Sequence, residues 1–323
     1  MKAAVIGANG VEIRDAPTPV PGPEQVLVKV RAAGLNRADL AVASGRMHGS
    51  SGGQGTIVGM EFSGEVAEVG AAVKDIKAGD RVMCSGAAAY AEFAVADFGR
   101  TAKIPANNMT FPQAATLPVA LQTMHDAVVT NGRLREGEAI LIQGASSGVG
   151  LMGMQIAKFK GARLVIGSST NPERRARLKE FGADLAIDSS DPGWADQVLK
   201  ATDGKGVDLI VDQISGRVAN DNLRATAIRG RIVNVGRLGG FKGEFDFDLH
   251  ALRRIDYIGV TFRTRSVEEV REINRRVRAD LWPAVEAGKL ALPIDRTFPL
   301  DKAADALSHM RANAHFGKIV LVA

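Results

Sequence analysis

The sequence predicts an α/β protein in which a doubly wound parallel sheet is combined with a second, mainly antiparallel β domain. The chain has 323 residues, a length that suggests two domains of ordinary size. Roughly the first 120 residues are strand-like and rich in turns, whereas from about residue 112 helical segments alternate with short apolar strands. We therefore expect residues 118–262 to form the parallel domain, and residues 1–117 with 263–323 to form the other.

Alternation and turn residues indicate the antiparallel domain. VLVKVRAAG alternates like a half-buried strand, GEVAEVGAAV is a second β segment, and RVMCSG follows a turn at Lys77 to Asp80. PTPVPGPEQ contains too many prolines for a regular element and is expected to be a loop. The closing strand KIVLVA is a candidate to return to this sheet.

The middle of the chain repeats a strand-then-helix pattern. The predicted strands are AILIQG, RLVIGS, DLAIDS, VDLIVDQ, GRIVNVG and YIGVTF. The predicted helices between them are GLMGMQIAKFK, NPERRARLKEFG, GWADQVLKATDG and ANDNLRATAIRG, with FPQAATLPVALQTMHDAVVTNG before the first strand. Strands separated by such helices imply right-handed crossovers and a parallel sheet covered on both faces, as in nucleotide-binding domains.

The composition excludes several classes of protein. Hydrophobic residues make up 46% of the chain, yet no stretch approaches the roughly 18 apolar residues of a membrane span, so a cytoplasmic location without a membrane partner is expected. The net charge of +5 arises from 41 basic and 36 acidic residues scattered along the chain, which argues against a nucleic-acid partner. The single cysteine, Cys84, excludes an internal disulfide and a cysteine-rich zinc site, and we interpret it as a buried strand residue.

The densest basic run, VREINRRVRAD, is interpreted as the solvated face of an amphipathic helix. Ser266, followed three residues later by Glu269, supplies a capping box for its start. The apolar residues at helical spacing are Val270, Ile273, Val277 and Leu281.

A glycine-rich loop between a strand and a helix is the main functional signal. Its members are Gly144, Ala145, Ser146, Ser147, Gly148, Val149 and Gly150. Small residues there let the backbone approach a pyrophosphate, which the N–H groups and dipole of the helix N-terminus then hold. A glycine-rich loop alone also fits a bare tight turn, but the strand-turn-helix setting favours a dinucleotide site.

The end of the next predicted strand indicates which dinucleotide binds. An NAD site usually offers an acidic residue there, whereas this chain has Ser168, Ser169 and Thr170, followed by Arg174. Hydroxyl and guanidinium groups suit a 2′-phosphate, which an aspartate would repel. We therefore predict NADPH as cofactor; the alternative is that the arginine only solvates its helix.

Seven ordered motifs are spread along the full chain: GLNRADLAVASG, GMEFSGEVAEVG, GDRVMCSG, QGASSGVGLMGMQIAK, GRIVNVG, GVTFRTRS and HFGKIVL. In these stretches the chain resembles the medium-chain dehydrogenase/reductase superfamily, and within it the zinc-independent quinone oxidoreductases. This resemblance implies a Rossmann cofactor domain and a GroES-like catalytic domain.

The departures from the family pattern concern metal binding. Zinc alcohol dehydrogenases of the superfamily have a cysteine ligand where this chain has Asn36, and a histidine ligand where it has Met60, before the retained Glu61. They also carry a four-cysteine structural zinc lobe, for which Cys84 alone cannot substitute. Amide and thioether groups are poor Zn²⁺ ligands, so we expect no metal site.

Without a Lewis acid, the acceptor must already be electrophilic, as quinones and α,β-unsaturated carbonyls are. Hydride addition to them gives a hydroquinone anion or an enolate, and no dedicated acid or base is demanded. The expected function is NADPH-dependent reduction of a small-molecule quinone or enone. The alternatives are a specialised C=C reductase acting on an enoyl thioester or haloacrylate, and a low-activity, cofactor-dependent RNA-binding protein, which the scattered charges oppose.

The resemblance also implies cofactor contacts. Thr123, a candidate catalytic residue, corresponds to a threonine at the nicotinamide end of the cofactor. The backbone of Val235 and Gly236 is expected to meet the carboxamide or ribose. Phe262 and Lys318 are further expected cofactor contacts, although Phe262 fits equally well as a core aromatic.

The other candidate catalytic residues and the candidate substrate residues are expected in the first domain. Asn36 and Asp39 are candidates to hydrogen-bond the substrate or the nicotinamide ribose, with a loop-bracing role for Asp39 as an equal alternative. Arg46 or His48 could contact a polar acceptor, although RMHGSSGGQG first suggests a mobile loop. His125 is interpreted as a packing residue.

The resemblance to the superfamily, and nothing else in the sequence, suggests the oligomeric state. The segment RRIDYIGVTF could pair at the sheet edge with a second copy, because an exposed edge is buried in that way. A homodimer is therefore expected.

Overall fold

The computed structural model describes residues 1–47, 49 and 52–323. The chain divides into two compact units: Met1–Val119 with Phe262–Ala323, here called the first unit, and Ala120–Thr261, the second unit. Across the described residues, every helix is too short or too polar to span a bilayer.

The strands lie in both units. In chain order they are β1 (Lys2–Gly7), β2 (Gly10–Asp15), β3 (Gln25–Gly34), β4 (Glu61–Val69), β5 (Arg81–Ser85), β6 (Phe93–Asp97), β7 (Thr101–Lys103), β8 (Ala139–Ile142), β9 (Leu164–Ser168), β10 (Leu185–Ile187), β11 (Val207–Asp212), β12 (Thr226–Asn234), β13 (Asp256–Gly259), β14 (Ile294–Pro299) and β15 (Lys318–Val322).

The helices are concentrated after residue 110. In chain order they are α1 (Arg37–Ala43), α2 (Phe111–Ala114), α3 (Pro118–Met124), α4 (Gly148–Phe159), α5 (Pro172–Arg177), α6 (Trp194–Ala201), α7 (Ala219–Ala225), α8 (Phe247–Arg253), α9 (Val267–Glu286) and α10 (Ala303–Arg311). A π-helical segment, His125–Asn131, continues α3.

The sheet of the first unit is mainly antiparallel, as predicted. Its strand order is β14-β15-β3-β4-β5-β7, and β6 pairs with β3. The closing strand β15 returns to this sheet, pairing antiparallel to β3 with Val320 opposite Gly34. The proline-rich segment before β3 is a loop, also as predicted.

Cys84 is fully buried in β5, and burial raises the pKa of its thiol to about 12. The prediction that Cys84 is a buried strand residue is confirmed.

The sheet of the second unit is parallel throughout its described ladders, with the order β10-β9-β8-β11-β12-β13. The chain moves outward from β8 to β10 and then returns to place β11 beside β8, so the direction of winding changes between those two strands. Every residue of β8 is buried, as expected for a strand covered on both faces. In open α/β sheets, ligands bind outside the carboxyl ends of the strands at this switch point.

Two helix predictions were too long. The predicted helix ANDNLRATAIRG ends at Ala225, because the β-branched Thr226 begins β12. The helix predicted from residue 111 is interrupted between α2 and α3, since Pro118 lacks the N–H that a continuous helix needs.

The basic helix follows the prediction. In α9, Ser266 Oγ accepts a hydrogen bond from Glu269 N at 3.2 Å, and Glu269 Oε2 accepts one from Ser266 N at 2.7 Å. The predicted apolar face is buried at Val270, Ile273, Val277 and Leu281. The helix belongs to the first unit, where Arg271 pairs with Asp97 and Glu24.

Candidate functional site

The glycine-rich segment Gly144–Gly150, here called the pyrophosphate loop, follows β8 at the switch point of the parallel sheet. Gly144 has φ +68°, the left-handed conformation that favours glycine, and turns the chain away from the sheet. A Cβ on Gly150 would lie 2.7 Å from Ala145 Cα, so the start of α4 approaches the loop too closely for any side chain there.

Ser147 fixes the start of α4 and is its N-cap. Its Oγ accepts a hydrogen bond from Gly150 N at 3.0 Å and lies 2.9 Å from Gln213 Oε1. The remaining N–H groups of a first helical turn have no intrahelical partner, and the helix dipole makes them attractive to an anion. The stretch from Ser146 to Val149 is only half-buried, so a phosphate can reach this backbone.

Ser168 supports the pyrophosphate loop from within the sheet. It is fully buried at the end of β9, where its Oγ accepts a hydrogen bond from Gly144 N at 3.0 Å and donates one to Gln143 Oε1 at 2.6 Å. Since the hydroxyl is directed inward, Ser168 braces the loop. A contact of this side chain with a 2′-phosphate finds no support in this geometry.

The other residues predicted for the 2′-phosphate lie at the same end of β9. Ser169 donates a hydrogen bond to Ser146 Oγ at 3.0 Å, Thr170 is exposed, and Arg174 is half-buried in the first turn of α5. The neighbouring Arg175 is held by Ser169 O at 2.8 Å and Asp188 Oδ2 at 2.9 Å, so its guanidinium stabilises this corner.

Three further residues predicted to contact the cofactor lie in the second unit. Val235 N and Gly236 N, in the turn after β12, both donate to Asp212 O, at 2.8 Å and 3.1 Å. Thr123 is half-buried in the last turn of α3. His125, two residues further on, is fully buried, as expected for a packing residue.

In the first unit, Lys318 forms the centre of a buried polar cluster with Asn36 and Glu61. Its Nζ donates hydrogen bonds to Leu35 O at 2.7 Å, Asn36 Oδ1 at 3.0 Å and Glu61 Oε1 at 2.5 Å. These acceptors use all three ammonium protons. Lys318, predicted as a cofactor contact, is therefore placed inside this cluster, and its cofactor role stays a prediction.

The same cluster fixes the side-chain amide of Asn36. Its Oδ1 faces the Lys318 ammonium, and its Nδ2 donates to Glu61 Oε1 at 2.8 Å. The second carboxylate oxygen, Glu61 Oε2, accepts a hydrogen bond from Val119 N at 2.9 Å. Both ends of the amide are thus oriented by charged groups, which fixes the orientation without ambiguity.

Asp39 is buried beside this cluster, at the start of α1. Its Oδ2 accepts hydrogen bonds from Asn36 N and Tyr90 Oη, each at 2.7 Å, and its Oδ1 has no hydrogen-bond partner among the described residues. Burial raises the pKa of this carboxyl to about 7. Because Asp39 joins α1 to Tyr90 within the core, the geometry supports the loop-bracing alternative.

The donor set around Asn36 does not suit zinc. Asn36 and Met60 offer an amide and a thioether, and the nearby carboxylate of Glu61 is paired with Lys318. Within residues 1–47, 49 and 52–323, no group of three or more histidine, cysteine, aspartate or glutamate side chains is arranged to hold a metal ion.

The remaining candidates lie elsewhere in the first unit. Arg46 is exposed, and His48 lies outside the described residues. Phe262 is half-buried, with the Arg265 guanidinium 5.6 Å from its ring centre.

The roles of Tyr90, Gln143 and Gln213 were not predicted from the sequence. The position of Gln213, directly after an apolar strand, was a usable signal, because polar residues at that edge face the ligand side of such a sheet.

Comparisons with known proteins agree with this architecture. Residues 22–106 match the alcohol dehydrogenase GroES-like domain, and residues 148–278 match the zinc-binding dehydrogenase family. The chain is 29% identical over 311 residues to the quinone oxidoreductase of Rattus norvegicus, covering 95% of this chain and 92% of that protein.

Two further similarities extend the comparison. The chain is 32% identical over 303 residues to the phthioceranic/hydroxyphthioceranic acid synthase of Mycobacterium tuberculosis, covering 93% of this chain but spanning only 14% of that protein. The solved structure of the mycobacterial protein Rv1454c complexed with NADPH has a TM-score of 0.87 and 26% identity, with 100% of both chains covered.

The parallel sheet with its glycine loop, joined in one chain to a GroES-like unit, defines an alcohol dehydrogenase-like oxidoreductase. The chain belongs to the medium-chain dehydrogenase/reductase superfamily, and its relatives include quinone oxidoreductases. The predicted fold class, a Rossmann sheet plus a GroES-like domain, is thereby confirmed.

Proposed function

We propose that this protein is an NADPH-dependent reductase that transfers hydride to quinones or other activated carbonyl and enone acceptors without a metal ion. The observation that carries the proposal is the Lys318–Glu61–Asn36 cluster. It places an ammonium group, hydrogen-bonded on all three protons, beside the residues that replace the family's zinc ligands.

The cofactor-binding part of the proposal rests on the second unit. The pyrophosphate loop would hold the diphosphate, while Ser169, Thr170 and Arg174 would hold the 2′-phosphate of the adenosine ribose. The similarity to the NADPH complex of Rv1454c and to a quinone oxidoreductase supports this choice. Bound NADPH supplies a hydride from C4 of its nicotinamide, and Thr123 with the turn after β12 would orient that ring.

The choice of acceptor follows from what Asn36 can offer. Its Nδ2 donates to Glu61 and its Oδ1 accepts from Lys318, so the amide is poorly suited to polarise an unactivated carbonyl. A quinone or enone accepts hydride without strong polarisation, because the resulting charge is delocalised over a conjugated anion. Binding, orientation and exclusion of water are then the main contributions of the protein.

A second candidate is a C=C reductase dedicated to one metabolite, such as an enoyl thioester. The similarity to a segment of the mycobacterial acid synthases favours it. In that case quinones would be incidental acceptors. Reduction rates, measured with analysis of the products, distinguish the candidates. The dedicated enzyme would saturate one alkene far faster than it reduces any quinone.

The proposal is tested with chelator-treated protein, NADPH and a panel of 1,4-benzoquinone, a naphthoquinone, simple enones and an unconjugated ketone. We expect NADPH oxidation with conjugated acceptors and none with the ketone. NADPH oxidation that requires added zinc, or that proceeds with the ketone alone, would contradict the proposal.

We also propose that the protein forms a homodimer through β13. This strand is paired with β12 on one side and is at the edge of its sheet. Exposed apolar side chains lie in or close to β12, α8 and β13, and Phe247 and Tyr257 both contact the ring of Phe245. An open edge flanked by apolar surface suits an isologous contact between two copies.

A further inference from the structure

Ser215, three residues beyond the end of β11, has an unusual backbone conformation. Its φ is 59° and its ψ is −160°, a combination that is almost confined to glycine because a Cβ there clashes with the backbone. The residue is nevertheless a serine and is 7% exposed. Strain of this kind persists only where surrounding contacts enforce it, and it is concentrated at functional sites.

Hydrogen bonds to the Asp212 carboxylate enforce the conformation. Asp212 Oδ1 accepts from Ile214 N at 2.8 Å and from Ser215 N at 2.9 Å, so the carboxylate closes a tight turn over its own backbone. Asp212 is fully buried, and burial raises the pKa of its carboxyl. The turn directs the Ser215 hydroxyl towards the segment after β12.

The Ser215 hydroxyl forms two hydrogen bonds with that segment. Its Oγ donates to Gly236 O at 2.6 Å and accepts a hydrogen bond from Asn234 Nδ2. The main chain adds further bonds, since Leu238 N donates to Gln213 O at 3.1 Å and Gly239 N donates to Ile214 O at 2.7 Å. The turn at Val235–Gly236, where the nicotinamide contact is proposed, therefore rests on residues 212–215.

Gln213, within the same segment, is also bonded to the pyrophosphate loop. Gln213 Nε2 donates to Gln143 O at 3.0 Å and lies 3.3 Å from Gly144 O, while its Oε1 faces Ser147 Oγ at 2.9 Å. Gln213 is 3% exposed, so these bonds are sheltered from water.

A second buried route joins Asp212 to the loop. Asp212 Oδ2 accepts from Asn222 Nδ2 at 3.0 Å, and Asn222 Oδ1 accepts from Gln143 Nε2 at 3.0 Å. Gln143 is in turn bonded to Ser168, which accepts the Gly144 N–H. All of these side chains are fully buried, and a satisfied network of this kind rigidifies the groups attached to it.

We infer that Asp212–Ser215 is a positioning element that fixes the nicotinamide-side turn relative to the pyrophosphate loop, with Ser215 acting on the nicotinamide side and Gln213 on the diphosphate side. The inference rests on the proposed function, because it assigns these residues to the cofactor of that reaction. The Ser215 hydroxyl links the turn after β12 to the end of β11, which a glycine with the same backbone conformation could not do.

The test uses Ser215→Gly, which keeps the backbone path, relieves the strain and removes the hydroxyl. Asp203→Gly is the matched control, since Asp203 also has a positive φ of 51° but precedes β11 at the opposite end of the sheet. Titration of protein fluorescence would give dissociation constants for NADPH and for 2′-phospho-ADP-ribose, which lacks the nicotinamide. The fluorescence of bound NADPH and kcat would be measured on the same samples.

We expect Ser215→Gly to fold at least as well as the wild type, to weaken NADPH binding about tenfold and to change binding of the fragment less than about twofold. It should also alter the fluorescence of bound NADPH and lower kcat, effects that a purely structural role would not produce. Gln213→Ala should weaken the binding of both ligands by similar factors, and Asp203→Gly should change the binding of neither.

If the wild type binds NADPH but Ser215→Gly leaves the ratio of the two dissociation constants, the fluorescence of bound NADPH and kcat unchanged, the inference alone is overturned. If the wild type binds neither ligand, both the proposed function and the inference are overturned.

Discussion

Lys318 Nζ lies 2.5 Å from Glu61 Oε1, and both side chains are almost completely removed from solvent. A buried ion pair is costly to break, because removal of one partner leaves an uncompensated charge in a medium of low dielectric constant. The pair also orients Asn36. It therefore links the stability of the first unit to the geometry of the candidate site.

Replacement of one partner should destabilise the protein more than replacement of both. We expect Lys318→Met to lower the thermal unfolding midpoint, with a cost of about 3–5 kcal/mol in the free energy of unfolding. The double variant Lys318→Met with Glu61→Gln should recover part of that loss. Lys302→Met is the control, since Lys302 forms only an exposed pair with Asp305 at 3.8 Å. Strictly additive effects in the double variant would show that the two groups are not coupled.

Arg174 should determine the preference for NADPH. Loss of a charge-assisted contact to the 2′-phosphate is expected to raise KM for NADPH at least about tenfold in Arg174→Ala, with little change for NADH. Arg177→Ala is the control, because Arg177 lies on the same helix and is paired with Glu180. Steady-state kinetics with both cofactors provides the measurement. A higher kcat/KM with NADH in the wild type, unaffected by the substitution, would refute the assignment.

Asp39 should make stability depend on pH. Its folded-state pKa of about 7 lies above the ordinary aspartate value of 3.8, so between these values the folded protein binds a proton that the unfolded chain has lost. The contribution of this group to the free energy of unfolding is therefore greatest below about pH 4 and is lost as the pH rises through 7. Asp39→Asn retains a hydrogen-bond acceptor but cannot ionise. The drop in unfolding midpoint between pH 5 and pH 8 should be smaller in this variant; an equal drop in both proteins would contradict the prediction.

The edge strand β13 should carry the dimer contact. A Cβ on Gly259 would meet no heavy atom within 4 Å, so Gly259→Lys adds charge at the edge without a clash inside the subunit. Light scattering should give twice the chain mass of 34.1 kDa for the wild type and the single mass for the variant. Val20→Lys, at a side chain that is 82% exposed in the first unit, should remain dimeric. A monomeric wild type would remove the proposal.

The sequence predicted what local patterns encode. The buried strands of the parallel sheet are continuous apolar runs, and the pyrophosphate loop is recognisable within seven residues, so both were located correctly. The predicted end of α7 was wrong because Thr226 and Ile228 already belong to β12. The pairing of β12 with β11 is irregular there, with a register shift between Val207 and Leu209 of β11.

Contacts between distant segments were not predictable in the same way. Lys318 and Glu61 are 257 positions apart, and no spacing rule relates a lysine on the last strand to a glutamate on β4. Asp39 was recognised, but its burial against Tyr90 depends on how the segment between β5 and β6 packs against α1. The strain at Ser215 is likewise a property of the folded backbone.

The most direct test of the account follows the hydride itself. Chelator-treated protein would be given NADPH with deuterium at both C4 positions and a simple enone, and the product would be analysed by mass spectrometry and NMR. The account predicts one deuterium on the carbon β to the carbonyl, because hydride addition to an activated acceptor gives an enolate. Deuterium on the carbinol carbon, or transfer only after zinc is restored, would contradict metal-independent reduction of an activated acceptor.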